Sequence, residues 1–215
     1  MSTKSDHRQR PDTSLYGIKP RFVRALDPIR MRLEAHGVAP TTVTLSAIPV
    51  ELAVAASLIV GSSYPAVLAI VPLLAVVWMG LNALDGSLAR SSGRTSHTGA
   101  VLNELVDRLG DLALIVAAFA IAPLPIAGAL AVGVLATELI AAIGWATTSN
   151  RHFAGPMGKP DRAAIVAIGA LAAIAWPAAL TVSFAVIAVG CVAGIVVRTR
   201  SVLRHARTLD RAASP

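Results

Sequence analysis

Cysteine, aromatic and charged residues are all scarce in this sequence, and each scarcity excludes a class of protein. The single cysteine, Cys191, excludes a fold held together by internal disulfides, and we expect it to be a small apolar residue of a late helix. Charged residues make up only 14% of the chain and hydrophobic residues 55%, a balance too apolar for a soluble domain. With aromatics at 4%, the apolar residues are mainly Ala, Val, Leu and Ile, which allow close helix packing in lipid. We therefore expect a membrane protein that crosses the bilayer several times.

The net charge of +7 does not indicate a nucleic-acid partner. The basic residues lie in clusters beside apolar segments, which is typical of topology signals in membrane proteins. We expect membrane lipids, and no nucleic acid, to be the partners of these clusters.

Six segments are apolar over the length of about 20 residues that a membrane-spanning helix needs. They are residues 42–61, 65–88, 99–121, 124–148, 162–175 (extending towards 180) and 181–197. The last two are separated only by Trp176 and Pro177, and one unbroken helix there would have about 35 residues, more than a bilayer requires. The predicted fold is an all-α integral membrane protein with six transmembrane helices.

Basic residues alternate between the predicted connections. They occur before the first segment, in the second and fourth connections and in the tail: Lys19, Arg21, Arg24, Arg30, Arg32, Arg90, Arg94, Arg151, Lys159, Arg162, Arg198, Arg200, Arg204, Arg207 and Arg211. The first, third and fifth connections carry no charge. The positive-inside rule then predicts that both termini lie on the cytoplasmic side of a bacterial inner membrane.

The chain before the first span is predicted to contain an amphipathic helix at residues 20–36, in which Phe22, Leu26, Ile29 and Leu33 are spaced at helical intervals. Such a helix suits the membrane interface, although a soluble linker is the alternative interpretation. The predicted organisation is a polar cytoplasmic tail at 1–18, a membrane domain at 19–200 and a basic cytoplasmic tail at 201–215.

The stretch NALDGSLARSSGRTSHTGAVLNELVD, residues 82–107, is unusually polar. On the second predicted helix Asn82, Asp85, Gly86 and Ala89 share one face. On the third, Gly99, Asn103 and Asp107 share one face with Asp111, which lies one turn beyond the stretch. A short loop joins these helices, so we expect antiparallel neighbours whose oxygen-bearing faces converge. Oxygen ligands favour Mg²⁺, Mn²⁺ or Ca²⁺, and divalent ions beside basic residues indicate phosphate chemistry. A helix pair joined by hydrogen bonds alone is the alternative interpretation.

The stretch resembles the signature of the CDP-alcohol phosphotransferases (CDP-alcohol phosphatidyltransferases), D-x2-D-G-x2-A-R-x8-G-x3-D-x3-D, with the same spacing at every position. The family's six-helix plan with an amphipathic amino-terminal helix is similar to the whole chain. The resemblance implies that an acceptor hydroxyl attacks the phosphorus of CDP-diacylglycerol and that CMP leaves. It also implies one or two Mg²⁺ or Mn²⁺ ions and a homodimer.

The resemblance also implies roles for individual residues. The metal ligands would be Asn82, Asp85, Asn103 and Asp107, with Glu104 and Asp111 as additional candidates. Asp107 would be the general base. Gly86, Ala89, Arg90 and Gly99 would bind the CDP-lipid, and Lys159, Arg162 and, as a further candidate, Arg151 would bind the acceptor. Ordinary positive-inside charge is the alternative interpretation of these last three.

Two residues depart from the signature, because Asn82 and Asn103 stand where the family pattern has aspartates. Either the chain is an active enzyme with an altered metal shell, or it binds a CDP-lipid without turning it over. A small transporter with intramembrane acids is a third interpretation. The acceptor remains open among glycerol phosphate, inositol phosphate, inositol and serine, and the basic loop favours a phosphorylated one. Glu51 and Glu138 are expected to make structural or dimer contacts.

Overall fold

The structure, a computed structural model, describes residues 19–148 and 155–213. Every regular element in these two ranges is a helix, so the all-α prediction is confirmed. A 3₁₀ segment at Pro65–Ile70 leads into the fourth helix. The helices are α1 (Lys19–Ala25), α2 (Asp27–Ala35), α3 (Pro40–Gly61), α4 (Val71–Ser91), α5 (His97–Ile121), α6 (Leu124–Thr148), α7 (Lys159–Ala175) and α8 (Ala179–Ala213).

Four helical segments of the described chain are long and apolar enough to cross a membrane, and they make this an integral membrane protein. They are Pro40–Gly61, Pro65–Ser91, Leu124–Thr148 and Ala179–Ala212. The other two predicted spans correspond to α5 and α7. Helix α5 carries several charged side chains and α7 has only 17 residues, which is short for a bilayer crossing. Six membrane crossings therefore stay a prediction.

The single amphipathic helix predicted at 20–36 is wrong in one respect, because the structure divides it into α1 and α2 at Leu26. Pro28 lies in the first turn of α2 and explains the break. Proline has no backbone N–H, and its ring would clash with the carbonyl four residues earlier in a continuous helix. Leu26 and Leu33 pack against a small cluster that includes Leu84 and Leu88, so α1 and α2 cover one end of α4.

The last helix is longer than the predicted span at 181–197. Helix α8 continues to Ala213 and has 35 residues, which corresponds to a length of about 52 Å. The break predicted at Trp176 and Pro177 is confirmed, because α7 ends at Ala175 and α8 begins at Ala179. The basic residues of the predicted tail thus belong to the same helix as the last span.

The bundle core is built mainly from alanine, valine, leucine and isoleucine, with Phe184 and Cys191 fully buried in it. Cys191 lies in α8, the last helix, and its burial agrees with the predicted role of a small apolar residue. Helix α3 packs against both α4 and α5. We expected α4 to pack directly on α5. Instead, α3 supports both helices and a cleft lies beside them.

Candidate active site

A cleft of about 650 Å³ opens at the end of the bundle that holds the polar stretch. Its volume is in the range of pockets that enclose small organic ligands. All eight signature residues line it: Asn82, Asp85, Gly86, Ala89, Arg90, Gly99, Asn103 and Asp107. The predicted convergence of the polar faces of α4 and α5 is confirmed.

Asp107, a signature residue, forms an ion pair with a lysine of another helix. Its Oδ1 accepts a hydrogen bond of 3.1 Å from Asn82 Nδ2 across the cleft, and the same oxygen is ion-paired with Lys159 Nζ. The side chains of Asp107 and Lys159 are only 14% and 13% exposed. Three helices, α4, α5 and α7, therefore meet at this carboxylate.

Asp85 is buried near the same cleft and is held by a residue outside the signature. Thr44 of α3 donates a hydrogen bond of 2.9 Å from Oγ1 to Asp85 Oδ2. Thr44 also lines the cleft. No spacing rule in the sequence links residues 44 and 85, and the only available signal was a hydroxyl residue in an apolar helix.

Gly86 and Arg90 lie one turn apart on α4 and are in close contact. A Cβ atom at Gly86 would lie 3.3 Å from Arg90 Nη1, so the guanidinium folds back over the glycine. At the start of α5, Ser96 Oγ accepts a hydrogen bond of 3.0 Å from the backbone N–H of Gly99. This N-cap fixes where α5 begins at the cleft.

Lys159 begins α7 and is positioned by the short segment before it. Met157 has a φ angle of 62°, a left-handed conformation that is uncommon for residues other than glycine. The carbonyl oxygen of Pro156 lies only 2.7 Å from where a Cβ atom at Gly194 would be, so the segment is pressed against α8. Arg151, the further candidate for acceptor binding, lies outside the described residues.

A buried set of ion pairs, which we call the arginine network, adjoins the cleft. Glu138 of α6 is ion-paired with Arg108 (2.8 Å), Arg162 (3.2 Å) and Arg198 (3.8 Å). Asp111 accepts hydrogen bonds from Arg162 (2.7 Å) and Arg108 (3.1 Å). The network also includes Glu104, 2.7 Å from Arg108 Nη2. Its members come from α5, α6, α7 and α8, so the expected structural pairing of Glu138 across the bundle is confirmed.

Three residues predicted for the site, Glu104, Asp111 and Arg162, belong to the arginine network and do not line the cleft. Glu104 and Asp111 do not line the cleft and have arginine partners, so the structure does not bring them to the other metal candidates. Arg162 is only 2% exposed and lies within the network rather than at the cleft wall. Conversely, Arg108, Glu138 and Arg198 do line the cleft. The sequence did not identify Arg198 as a site residue, because its position resembles that of any basic residue at the end of a membrane span.

The cleft offers oxygen ligands of the type that Mg²⁺ and Mn²⁺ prefer. Asp85 and Asp107 provide carboxylates, while Asn82 and Asn103 provide carboxamides. Because Asn82 uses Nδ2 to bind Asp107, its carbonyl oxygen remains as a ligand. Within 19–148 and 155–213, no three His, Cys, Asp or Glu side chains gather as a metal-binding group. The donor set therefore fits a divalent ion only with the two amides included and with substrate or water oxygens completing the shell.

Comparison with known proteins decides the family. The profile of CDP-alcohol phosphatidyltransferase matches residues 37–196, which is most of the chain. The chain belongs to the CDP-alcohol phosphatidyltransferase family. It is thus an enzyme of phospholipid biosynthesis in a membrane, and the matched range contains the whole signature and Lys159.

Individual relatives of this phosphatidyltransferase agree with that assignment. The inner membrane protein YnbA of Escherichia coli (strain K12) is 35% identical over 167 residues, covering 76% of this chain and 82% of YnbA. Phosphatidylinositol phosphate synthase of Mycobacterium bovis (strain BCG / Pasteur 1173P2) is 28% identical over 208 residues, covering 90% of this chain and 93% of the synthase.

Solved structures of a mycobacterial relative share the fold of this phosphatidyltransferase. The crystal structure of Mycobacterium tuberculosis phosphatidylinositol phosphate synthase with CDP-DAG bound has a TM-score of 0.64 at 28% identity, covering 83% of this chain and 94% of the synthase. The structure of that synthase in complex with manganese and citrate has a TM-score of 0.63 at 27% identity, covering 82% and 88%.

Proposed function

We propose that this phosphatidyltransferase transfers the phosphatidyl group of CDP-diacylglycerol to a hydroxyl of a small polar acceptor and releases CMP. The observation that carries the proposal is the single cleft of about 650 Å³ lined by all eight signature residues and by Lys159. The mycobacterial synthase solved with CDP-DAG bound supports the choice of lipid substrate. In our proposal Gly86, Ala89, Arg90 and Gly99 contact the CDP-lipid, and the closeness of Arg90 to Gly86 gives a guanidinium for its phosphates.

Asn82, Asp85, Asn103 and Asp107 would hold Mg²⁺ or Mn²⁺, and the manganese complex of the mycobacterial synthase supports a divalent ion. The ion would neutralise charge on the diphosphate of the CDP-lipid, whose phosphoanhydride bond breaks as CMP leaves. Two carboxylates and two amides carry a formal charge of only about −2, which favours one bound ion over two. Glu104 and Asp111 are left out of this shell because arginines already occupy their oxygens.

Asp107 is the proposed general base. It would accept the proton of the acceptor hydroxyl while the hydroxyl oxygen bonds to phosphorus and the bond from phosphorus to CMP breaks. The contacts of Asn82 and Lys159 with Asp107 Oδ1 restrain the carboxylate, so one orientation is prepared before the substrates bind. Thr44 gives Asp85 a similar restraint.

We propose a phosphorylated acceptor, such as glycerol phosphate or inositol phosphate. Lys159 lines the cleft and offers an ammonium group to the acceptor phosphate, whereas Arg108 and Arg198 line it as members of the arginine network, paired with Glu138. Arg162 would act from inside the arginine network by holding Glu138 and Asp111, rather than by direct contact with the acceptor. The phosphatidylinositol phosphate synthases among the relatives support an acceptor of this class.

The proposed topology has six spans with both termini cytoplasmic in a bacterial inner membrane. Helices α5 and α7 would be the two additional spans, with the charges of α5 shielded by the cleft and the arginine network. Helices α1 and α2 would lie at the interface and cover the end of α4. The inner membrane relative from Escherichia coli supports the location, and we expect the homodimer that the family resemblance implies.

The test uses the purified full chain in lipid nanodiscs with CDP-diacylglycerol, Mg²⁺ or Mn²⁺, and each of the four acceptors in turn: glycerol phosphate, inositol phosphate, inositol and serine. We expect CMP release matched by a new phospholipid with one of the phosphorylated acceptors, loss of both with EDTA, and recovery with added metal. Asp210→Asn, an exposed change on α8, is the matched control for aspartate variants. Binding of CDP-diacylglycerol without CMP release from any acceptor would instead identify an inactive relative.

A further inference from the structure

A second, smaller cavity of about 60 Å³ lies between α3, α4, α5 and α7. It adjoins the cleft, because Trp78 and Lys159 line both. Most of its wall is aliphatic. The polar exceptions are Glu51, Asp111, Lys159, Arg162 and the indole of Trp78.

Unpaired polar atoms concentrate at this cavity. Among the described residues, four buried side-chain atoms have no hydrogen-bond partner, and three of them belong to residues that line it: Glu51 Oε2, Lys159 Nζ and Arg162 Nη1. The contact of Lys159 Nζ is its ion pair with Asp107, which leaves further N–H groups on the ammonium. Glu51 and Arg162 are only 6% and 2% exposed. Buried polar groups of folded proteins normally find a protein or water partner.

The carboxylate of Glu51 is held so that one oxygen remains for the cavity. Trp78 Nε1 donates a hydrogen bond of 2.6 Å to Glu51 Oε1. A Cβ atom at Gly110 would lie 2.5 Å from the same oxygen, so α5 packs directly against this carboxylate. Oε2 lies 2.9 Å from that same Cβ position, but unlike Oε1 it accepts no hydrogen bond from the described residues.

The charge and size of the cavity select water as its ligand. Glu51 and Asp111 disfavour an anion, and Lys159 and Arg162 disfavour a cation. A water molecule takes up about 30 Å³ in the liquid and makes about three hydrogen bonds when buried, so a cavity of about 60 Å³ has room for about two. One or two water molecules would fit, with an oxygen accepting from Lys159 and Arg162 and a hydrogen donated to Glu51.

We propose that this cavity is a buried water site, and that Glu51 is a positioning residue which holds the ammonium of Lys159 against Asp107 through the bound water. Glu51 touches no reacting atom. The water would restrain Lys159 from the side of the small cavity. The ammonium group would therefore keep one position relative to Asp107 and the acceptor. The existence of the water site does not depend on the proposed function. Its effect on phosphatidyl transfer does depend on that function.

The water site is tested first by an experimental structure of the full chain at a resolution that shows ordered water. We expect density within hydrogen-bond distance of Glu51 Oε2, Lys159 Nζ and Arg162 Nη1. A dry cavity, or a Glu51 carboxylate bonded directly to Arg162, would overturn the site. This measurement needs no acceptor, so its failure is distinct from a failure of the proposed reaction.

The positioning role is tested by Glu51→Gln. Glutamine has one acceptor oxygen, so the Trp78 N–H and the water compete for it, and we expect kcat to fall about fivefold, as for the loss of one hydrogen bond. The KM for CDP-diacylglycerol and the melting temperature should change little. The double variant Trp78→Phe/Glu51→Gln removes the competing N–H and should recover part of the loss.

Val54→Ala is the matched control, because it enlarges the same cavity without changing its polar atoms. It should keep kcat close to that of the unmodified chain. Unchanged kcat in Glu51→Gln, or a double variant no better than Glu51→Gln, would overturn the positioning role. If the unmodified chain releases no CMP with any acceptor, the proposed function fails while the structural test of the water site still holds.

Discussion

Asp107 and Asp111 lie one turn apart on α5, yet their surroundings are opposite. Asp107 lines the cleft and contacts a lysine and an amide, whereas Asp111 is buried between two arginines of the arginine network. From the sequence alone, both carboxylates are placed on the same face of one helix. The comparison shows that helical spacing aligns acids, but the side chains of neighbouring helices decide which acid can meet a substrate.

The two surroundings also differ in what they contribute to the protein. The arginine network joins α5, α6, α7 and α8 through residues that are mostly buried. Its three arginines and three acids are balanced in formal charge. A buried pair of this kind adds little net stability when complete, but removal of one partner leaves a buried charge alone. We therefore assign chemistry to the cleft and structural support to the network.

The sharpest test of this difference compares Asp107→Asn with Asp111→Asn. Loss of the general base should reduce CMP release by about 10² to 10⁴ in the folded fraction. The melting temperature should fall less than in Asp111→Asn, because the Lys159 that loses its partner lines the cleft. Asp111→Asn should lower the melting temperature and leave the folded fraction active. CMP release and thermal unfolding of both variants measure this, and an active Asp107→Asn protein would contradict the assigned base.

The next largest effect is expected in the arginine network. Glu138→Gln removes the carboxylate shared by Arg108, Arg162 and Arg198, and should destabilise the protein by about 3 to 5 kcal/mol. Unfolding in detergent micelles, followed by circular dichroism, measures the change. Glu104→Gln is the control, because its side chain is 37% exposed and an exposed ion pair contributes at most about 1 kcal/mol. Equal stability of the two variants would contradict the structural role of the network.

A smaller effect is expected where the segment before α7 meets α8. In Gly194→Ala the new Cβ would meet the backbone carbonyl of Pro156, which has to shift and carry Lys159 with it. We expect kcat/KM to fall by about 10 to 10² because a displacement near 1 Å is enough to disturb the site. In Gly190→Ala the three atoms nearest the new Cβ belong to the side chain of Met157 rather than to backbone, so activity should fall less than in Gly194→Ala. Similar losses in both variants would show that Lys159 is not positioned in this way.

The smallest effect concerns the two asparagines of the signature. Asn103→Asp adds a carboxylate to the metal shell and should lower the Mn²⁺ concentration for half-maximal activity by about three- to tenfold. Asn82→Asp should help less, because it replaces the amide that donates to Asp107 with a second negative charge. Metal titrations of CMP release measure both. A greater gain from Asn82→Asp would contradict the hydrogen bond between residues 82 and 107 as a restraint on the base.

Much of the fold could be predicted because its signals are local. Apolar length located the helices, Pro177 marked the last break, and helical spacing placed the signature residues on faces that converge. The division at Leu26 also had a local signal, since Pro28 has no N–H for the carbonyl of Arg24 and suits the first turn of a new helix.

The rest depends on contacts between residues far apart in the sequence. Thr44 meets Asp85 across 41 positions, and Arg198 reaches Thr137 across 61. A short loop between α4 and α5 indicated direct packing, but α3 packs against both helices. Periodicity is the same for a basic residue at the membrane surface and for one buried beside Glu138, so only the packed bundle distinguishes them.

The hydroxyl of Thr44 has a consequence for protein engineering. A helical hairpin cut from α4 and α5 and grafted into another scaffold would carry every residue of the signature, yet Asp85 would lose the hydroxyl donor of α3 and Asp107 the ammonium partner of α7. The smallest transplantable unit is therefore four helices, α3, α4, α5 and α7, and a designer who copies the signature alone would obtain two carboxylates that each lack one of these contacts.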